Sequence, residues 1–134
     1  MIRYLVTCLS VAGAFLIIDA VWLGYVARDF YRKNLEAMLA ESFRMDAAAA
    51  FYVLYTVGVM VFAVIPAAKA GSPWQAILLG AFFGLCAYGT YDLTNLATIK
   101  NWPVIVSVVD MAWGAFLTAS SAFAGYLVLS RFAQ

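Results

Sequence analysis

Three aspartates in apolar surroundings are the residues of this sequence best suited to chemistry. Asp19, Asp92 and Asp110 each stand in a hydrophobic run long enough to cross a membrane. A carboxylate in hydrocarbon is costly unless it is paired, protonated or bound to a ligand, so such residues usually mark functional sites. Asp19 and Asp110 are each followed, three residues later, by a tryptophan, Trp22 and Trp113. An anion beside an aromatic wall suits a cation, an amphipathic headgroup or a proton.

The stretch YGTYDLTNLATIKNWP, residues 88–103, surrounds Asp92 with further polar and aromatic groups. Tyr88, Asp92 and Asn95 recur at helical spacing and therefore share one stripe of a helix. The sequence predicts a ligand-binding polar cluster of aspartates with nearby aromatic, hydroxyl, amide and ammonium side chains: Asp19, Trp22, Tyr52, Tyr55, Tyr88, Tyr91, Asp92, Thr94, Asn95, Lys100, Trp102, Asp110 and Trp113.

The composition is that of an integral membrane protein. Of 134 residues, 66% are hydrophobic and 11% are charged, whereas soluble domains are about half apolar. At roughly 20 residues per crossing, the length allows about four spans. We expect an all-α, polytopic fold, residues 1–134 forming one domain of four transmembrane helices in an antiparallel bundle.

Hydrophobic runs place the spans at about residues 4–27, 47–67, 74–93 or somewhat beyond, and 103–129. The first run is expected to be a retained span, because no small-residue cleavage site follows it. Gly71 and Ser72 predict a turn, with Ser72 capping the third span and Pro73 in its first turn. Gly80 and Gly84 have the four-residue spacing that lets helices approach closely.

The connection between the first two spans has an amphipathic pattern. Apolar residues recur at helical spacing while charged residues fall elsewhere, which is typical of a helix lying in the membrane interface. A structured connection would explain the pattern equally well. The apolar positions are Tyr31, Leu35, Met38, Leu39 and Phe43.

Alternating span directions bring the three carboxylates into the same half of the membrane. Asp19 is late in the first span, Asp92 late in the third and Asp110 early in the fourth. At about 1.5 Å per residue, Asp19 and Asp110 lie roughly 10 to 14 Å inside their helix ends. Tyr52 and Tyr55 enter the same half.

The basic residues give an expected orientation. Four spans place both termini on one side, and more basic residues lie in the first and third connections than on the terminal side. The positive-inside rule therefore favours termini outside the cytoplasm. The residues counted are Arg28, Arg32, Lys33, Arg44 and Lys100 against Arg3, Lys69 and Arg131.

Several classes of function are excluded by composition. The absence of histidine excludes His-ligated haem, HExxH zinc chemistry and Ser-His-Asp hydrolysis. A net charge of +1 without a basic stripe excludes nucleic acid as a partner. Cys8 and Cys86 both fall in apolar segments and predict no disulfide framework. No cofactor is expected, and no metal, because a divalent ion needs more oxygen ligands than can be assigned.

Three segments together resemble a known family. These are DAVWLG at residues 19–24, YDLTNLAT at 91–98 followed by NWP at 101–103, and DMAWG at 110–114. Over nearly its whole length the chain resembles a family of small bacterial inner-membrane proteins catalogued as a domain of unknown function. The resemblance implies a bacterial inner-membrane location and brings no activity, so function has to come from the site.

The sequence leaves several functions open. The cluster could bind a lipid, an isoprenoid or an amphipathic cation, which is the reading we favour. It could instead serve a lipid-modifying enzyme that uses paired aspartates. It could also serve a small proton-coupled or cation transporter, which would need a homo-oligomer because four helices make only a thin wall around a transport path. Alternatively the aspartates, tyrosines and threonines fix helix register, or the chain is a subunit of a larger membrane complex.

Overall fold

A computed structural model describes residues 1–40, 42 and 44–132 of the chain. Over these residues four long apolar helices form an antiparallel bundle, which confirms the predicted fold class. We call the helices spans 1 to 4, and their bounds are Ile2–Val26, Met45–Ala70, Pro73–Thr98 and Val104–Arg131. Five-residue π-helical turns, Trp22–Val26 and Met60–Val64, interrupt the α-helical winding of spans 1 and 2.

A short amphipathic helix, Arg28–Leu35, follows span 1 and continues into a 3-10 turn at Glu36–Met38. We call it the connecting helix. Ala27 separates it from span 1 with non-helical backbone angles and is itself buried, so the chain bends at this residue. A helix was predicted here; of the residues that predicted it, Phe43 lies outside the described residues.

Two tight turns join the remaining spans. Gly71 has a positive φ of 62°, which confirms the predicted turn. The Ser72 hydroxyl accepts a hydrogen bond from the backbone N–H of Gln75 at 3.3 Å, which confirms the predicted helix cap. Between spans 3 and 4, Asn101 also has a positive φ, 63°, a conformation that asparagine tolerates better than most side chains. This turn brings Trp102 back into the bundle, where it is buried.

Spans 3 and 4 make the closest helix pair, because their contact surface consists of small residues. A methyl group added at Gly80 would lie 2.8 Å from the Ala122 Cβ, and one at Gly84 would overlap the Gly114 carbonyl oxygen. The packing role predicted for both glycines is therefore confirmed. Since Asp92 and Asp110 belong to these two helices, the tight pairing also fixes their relative positions.

The apolar core fills the centre of the bundle. Val11, Phe15, Val59 and Leu117 come from spans 1, 2 and 4 and are at most 3% exposed. Large apolar side chains such as Leu54, Phe82 and Phe116 cover the outer faces and are exposed, as lipid-facing surfaces require. The chain is a multi-pass membrane protein whose outer surface contacts the bilayer.

Candidate functional site

Asp19 is held by two donors from two other helices. Its Oδ1 accepts a hydrogen bond from Trp113 Nε1 at 3.1 Å, and its Oδ2 accepts one from the Tyr52 hydroxyl at 3.0 Å. The residue is 7% exposed. Spans 1, 2 and 4 therefore meet at a single carboxylate, whose two oxygens are both satisfied.

Asp110 is held from the connecting helix. The Tyr31 hydroxyl donates to Asp110 Oδ1, and Trp22 Nε1 donates to the Tyr31 oxygen at 3.2 Å. Burial of the phenol, followed by its hydrogen bond to Asp110, raises the pKa of Tyr31. The phenol therefore stays protonated over the physiological range and keeps its donor role.

The two tryptophans connect these carboxylates crosswise. The rings of Trp22 and Trp113 stack with centroids 4.2 Å apart and planes 9° from parallel. Trp113 follows Asp110 in the sequence but donates to Asp19, whereas Trp22 follows Asp19 and reaches Asp110 through Tyr31. The two Asp-x-x-Trp segments thus form one network across spans 1 and 4.

A cavity of about 430 Å³ opens beside this network and under the connecting helix. Asp19 and Asp110 contribute acidic groups to its lining, Arg28 and Arg32 contribute basic groups from the connecting helix, and the rest is aromatic or aliphatic. The remaining lining residues are Leu23, Tyr31, Leu35, Leu39, Tyr88, Tyr91, Trp102, Val106 and Trp113. We call this space the main cavity; its size and mixed lining are those of a small-molecule site.

A second cavity of about 270 Å³ adjoins the first between spans 2 and 3. It shares Tyr88, Tyr91 and Asp110 with the main cavity and is otherwise lined by Phe51, Tyr55 and Ala87. Tyr55 is directed to the bundle core, where its hydroxyl is 2.7 Å from Thr118 Oγ1. We call this space the side cavity; it is more aromatic than the main one and has a single carboxylate.

Asp92 is the most deeply buried of the three aspartates. It is 0% exposed, and neither of its carboxylate oxygens has a hydrogen-bond partner within the described part of the chain. A second carboxylate, Asp110, is an electrostatic neighbour of this buried group. Asp92 does not line either cavity.

The turn after span 3 is fastened to the backbone of Asp92. Trp102 Nε1 donates to Ser107 Oγ at 3.0 Å, and Ser107 Oγ donates to the Asp92 carbonyl oxygen at 3.2 Å. Tyr91 packs edge-on against the Trp102 ring at 5.8 Å. Trp102 therefore has a dual position, as a wall of the main cavity and as a link between the NWP turn and Asp92.

Three predicted site residues do not join the network. The Thr94 hydroxyl donates to the Thr90 and Tyr91 carbonyl oxygens of its own helix, and Thr94 is exposed. Asn95 is half-buried and lines neither cavity. Lys100 is exposed in the turn and is not paired with an aspartate in the described residues. Of the other ten predicted residues, nine belong to the hydrogen-bond network or line one of the two cavities. The tenth, Asp92, is a neighbour of Asp110.

Three residues of the connecting helix were missed by sequence reasoning. Tyr31, Arg28 and Arg32 face the main cavity. Tyr31 was assigned to the apolar face of the amphipathic helix, which its ring satisfies, while its hydroxyl group carries the polar contact. The residue type could have indicated this contact, since the hydroxyl group of a buried tyrosine usually needs a hydrogen-bond partner.

The described residues contain no cluster of side chains typical of a metal centre. Within the described ranges, no three side chains of the His, Cys, Asp or Glu type are grouped closely enough to hold an ion. The groups that do converge are two carboxylates, which accept hydrogen bonds, and two indoles and two phenols, which donate them. They suit recognition of a cation or a hydrogen-bonding headgroup.

Comparison with known proteins identifies the family. Residues 4–127 match the family described as "Predicted membrane protein (DUF2177)", and the chain belongs to that family. The family resemblance predicted from the sequence is confirmed, and the description agrees with the four spans. No curated protein and no solved structure matches the chain.

Proposed function

We propose that this DUF2177 family member binds an amphipathic molecule, a lipid, an isoprenoid or an amphipathic cation, at its Asp/Tyr/Trp cluster. The observation that carries the proposal is that Asp19 and Asp110 both line the same cavity of about 430 Å³. Their donors come from three helices and hold both carboxylates in place before any ligand arrives. Such preorganisation lowers the cost of ordering the site on binding.

A positively charged polar end fits the two carboxylates that line the main cavity. Within the described residues, neither Asp19 nor Asp110 forms an ion pair, so their charge is met by hydrogen bonds alone. A ligand cation between them would supply the missing charge, and the Trp113 ring beside them adds a cation–π surface. Arg28 and Arg32, on the connecting helix, could contact a phosphate of the same headgroup.

The side cavity fits the apolar end of the same ligand. It begins at Tyr88 and Asp110, which also border the main cavity, and extends past Ala87 to Phe51. Phe51 is 44% exposed, so this route leads to the lipid-facing surface between spans 2 and 3. An alkyl or isoprenoid chain can leave the bundle there without crossing a polar surface.

We also propose a bacterial inner-membrane location with both termini outside the cytoplasm. Five basic residues in the first and third connections outnumber three on the terminal side, which supports this orientation. The main cavity, on the connection side, would then open toward the cytoplasmic leaflet. Labelling of single cysteines introduced at Lys33 and at Arg3 in intact cells tests the orientation.

Native mass spectrometry after gentle extraction tests the binding proposal. We expect a discrete extra mass on the natural sequence that is lost in Asp19→Asn and in Asp110→Asn. Thr94→Ala is a matched control, because Thr94 is exposed and bonds only within its own helix. An unliganded natural chain, or an extra mass that survives both aspartate changes, would contradict a resident ligand at these carboxylates.

Cation transport is a second candidate, favoured by the lining residues that the two cavities share. Because Asp110 borders both, a cation could pass from one cavity to the other at this residue. Four helices make a thin wall, so transport would require a homo-oligomer. Flux of a fluorescent cation into proteoliposomes that is lost in Asp110→Asn would support transport over simple binding.

A further inference from the structure

Asp92 carries an anomaly that ligand binding alone does not explain. Its carboxyl group lies inside a membrane span, is 0% exposed, and has no donor within the described residues. An ionised carboxylate there would lose its hydration without compensation. Its neighbour Asp110 is also an acceptor, so the two can form a hydrogen bond only if one carries a proton.

We propose that Asp92 is a proton-binding site, that its protonated carboxyl group donates to Asp110, and that this proton is exchanged for the bound cation. The first part stands on the geometry of Asp92. The exchange rests on the proposed function, because it needs a cation at Asp110.

A proton on Asp92 would give the two aspartates that line the main cavity the same number of hydrogen-bond donors. Asp19 has one donor on each oxygen, Trp113 and Tyr52. Asp110 has Tyr31 on Oδ1, and a proton on Asp92 supplies a second donor. With that proton present, all three carboxyl groups have hydrogen bonds and the cluster carries two negative charges instead of three.

The groups around Asp92 favour its protonated form, because none of them supplies a positive charge to its carboxylate. No cationic side chain pairs with it in the described residues, and the arginines of the connecting helix line the cavity rather than Asp92 itself. Of the phenols nearby, Tyr31 donates a hydrogen bond to Asp110 and Tyr52 donates one to Asp19. The titratable or charged groups facing the cluster are Asp19 on span 1, Arg28, Tyr31 and Arg32 on the connecting helix, Tyr52 and Tyr55 on span 2, Tyr88 and Tyr91 on span 3, and Asp110 on span 4.

Cation binding would release the proton in two balanced transfers. The Asp92 O–H bond breaks as its proton passes to the Asp110 carboxylate, and Asp110 then gives that proton to water in the main cavity, which it borders. The products are two carboxylates, one hydronium ion and a bound cation that compensates the new charge. Because proton and cation compete, cation affinity must rise with pH, by up to about tenfold per pH unit for one proton.

Infrared difference spectroscopy of the unliganded protein in nanodiscs tests the proton site directly. We expect a protonated carboxyl C=O band at neutral pH that shifts in D2O, is absent in Asp92→Asn and persists in Asp110→Asn. A band that is missing from the natural sequence, or that survives in Asp92→Asn, would overturn the assignment. If Asp92→Asn does not fold, Asp110→Asn provides the test on its own. The C=O band of protonated Asp92 must then shift in frequency, because the group that accepts its hydrogen bond changes from a carboxylate to an amide.

Binding of dodecyltrimethylammonium at several pH values, followed by tryptophan fluorescence, tests the exchange. This probe has a permanent charge, so any pH dependence belongs to the protein. Affinity should rise with pH in the natural sequence and be flat in Asp92→Asn, whose amide is neutral like the protonated acid. Equal slopes in both would overturn the exchange, whereas no binding with an intact infrared band would overturn the proposed function and leave the proton site standing.

Discussion

The indole of Trp113 donates a hydrogen bond to Asp19 Oδ1 at 3.1 Å, so the tryptophan of one Asp-x-x-Trp segment serves the aspartate of the other. The same ring stacks on Trp22, which reaches Asp110 through Tyr31. Spans 1 and 4 are therefore joined by a reciprocal arrangement in which each aspartate depends on the opposite segment.

Trp113→Phe should weaken the contact between spans 1 and 4 while keeping an aromatic ring at this position. Phenylalanine retains an aromatic ring for stacking but cannot donate to Asp19, which then keeps only Tyr52. We expect a loss of about 1 to 2 kcal/mol in the free energy of unfolding, measured by SDS denaturation in mixed micelles. Trp74→Phe is the control, because Trp74 is 70% exposed. Equal losses in the two variants would show that ring size, not the hydrogen bond, determines the effect.

Tyr31→Phe should loosen the connecting helix. The hydroxyl group of Tyr31 ties this helix to Asp110 and Trp22, and the change removes both bonds while keeping the ring. We expect protection of amides 28–35 against hydrogen exchange to fall by about tenfold, which corresponds to about 1.4 kcal/mol. Tyr25→Phe, at a residue that is 91% exposed, should leave protection unchanged. Unchanged protection in Tyr31→Phe would mean that apolar packing alone holds the helix.

The raised pKa of Tyr31 predicts a contribution to stability at alkaline pH. The folded pKa lies above the ordinary value of about 10, because burial disfavours the phenolate. This contribution is fully present below the unfolded pKa and is lost as pH rises through the folded pKa. Stability of the natural sequence should therefore fall more steeply above about pH 10 than that of Tyr31→Phe. Parallel pH profiles from thermal unfolding would contradict the placement of Tyr31.

Gly84→Ala should separate spans 3 and 4. The added methyl group would overlap the Gly114 carbonyl oxygen, which is backbone and cannot move aside cheaply. We expect destabilisation of about 2 kcal/mol or more, by the same denaturation assay. Gly13→Ala is the matched control, because nothing lies within 4 Å of its added methyl group and alanine favours the helix. If both variants were equally stable, the two spans would not be packed as closely as described.

The fold was predictable because the bilayer imposes simple rules on the sequence. Four apolar runs of sufficient length can only be spans, and alternating directions bring Asp19, Asp92 and Asp110 into one half of the membrane. The turn at Ser72 and the close packing at Gly80 were readable from local chemistry. None of these inferences requires knowing how any helix is rotated about its axis.

The pairing of side chains could not be predicted, because it depends on that rotation. Spacing places Trp22 on the same face as Asp19, but it cannot show that Trp22 stacks on Trp113 and donates to Tyr31. The bend at Ala27 depends on tertiary packing, so Tyr31 could be assigned to a helix face but not to Asp110. Lys100, expected near the carboxylates from its place in the chain, is directed to the exposed surface of the turn.

The measurement that tests the account most directly is binding of dodecyltrimethylammonium to the protein in nanodiscs, compared with dodecyl maltoside, a neutral amphiphile with the same chain length. We predict saturable binding of the cation alone, weakened about tenfold or more in Asp19→Asn and in Asp110→Asn and unchanged in Thr94→Ala. Equal binding of the two amphiphiles, or cation binding that is unaffected by both aspartate changes, would contradict a cation site at the carboxylates.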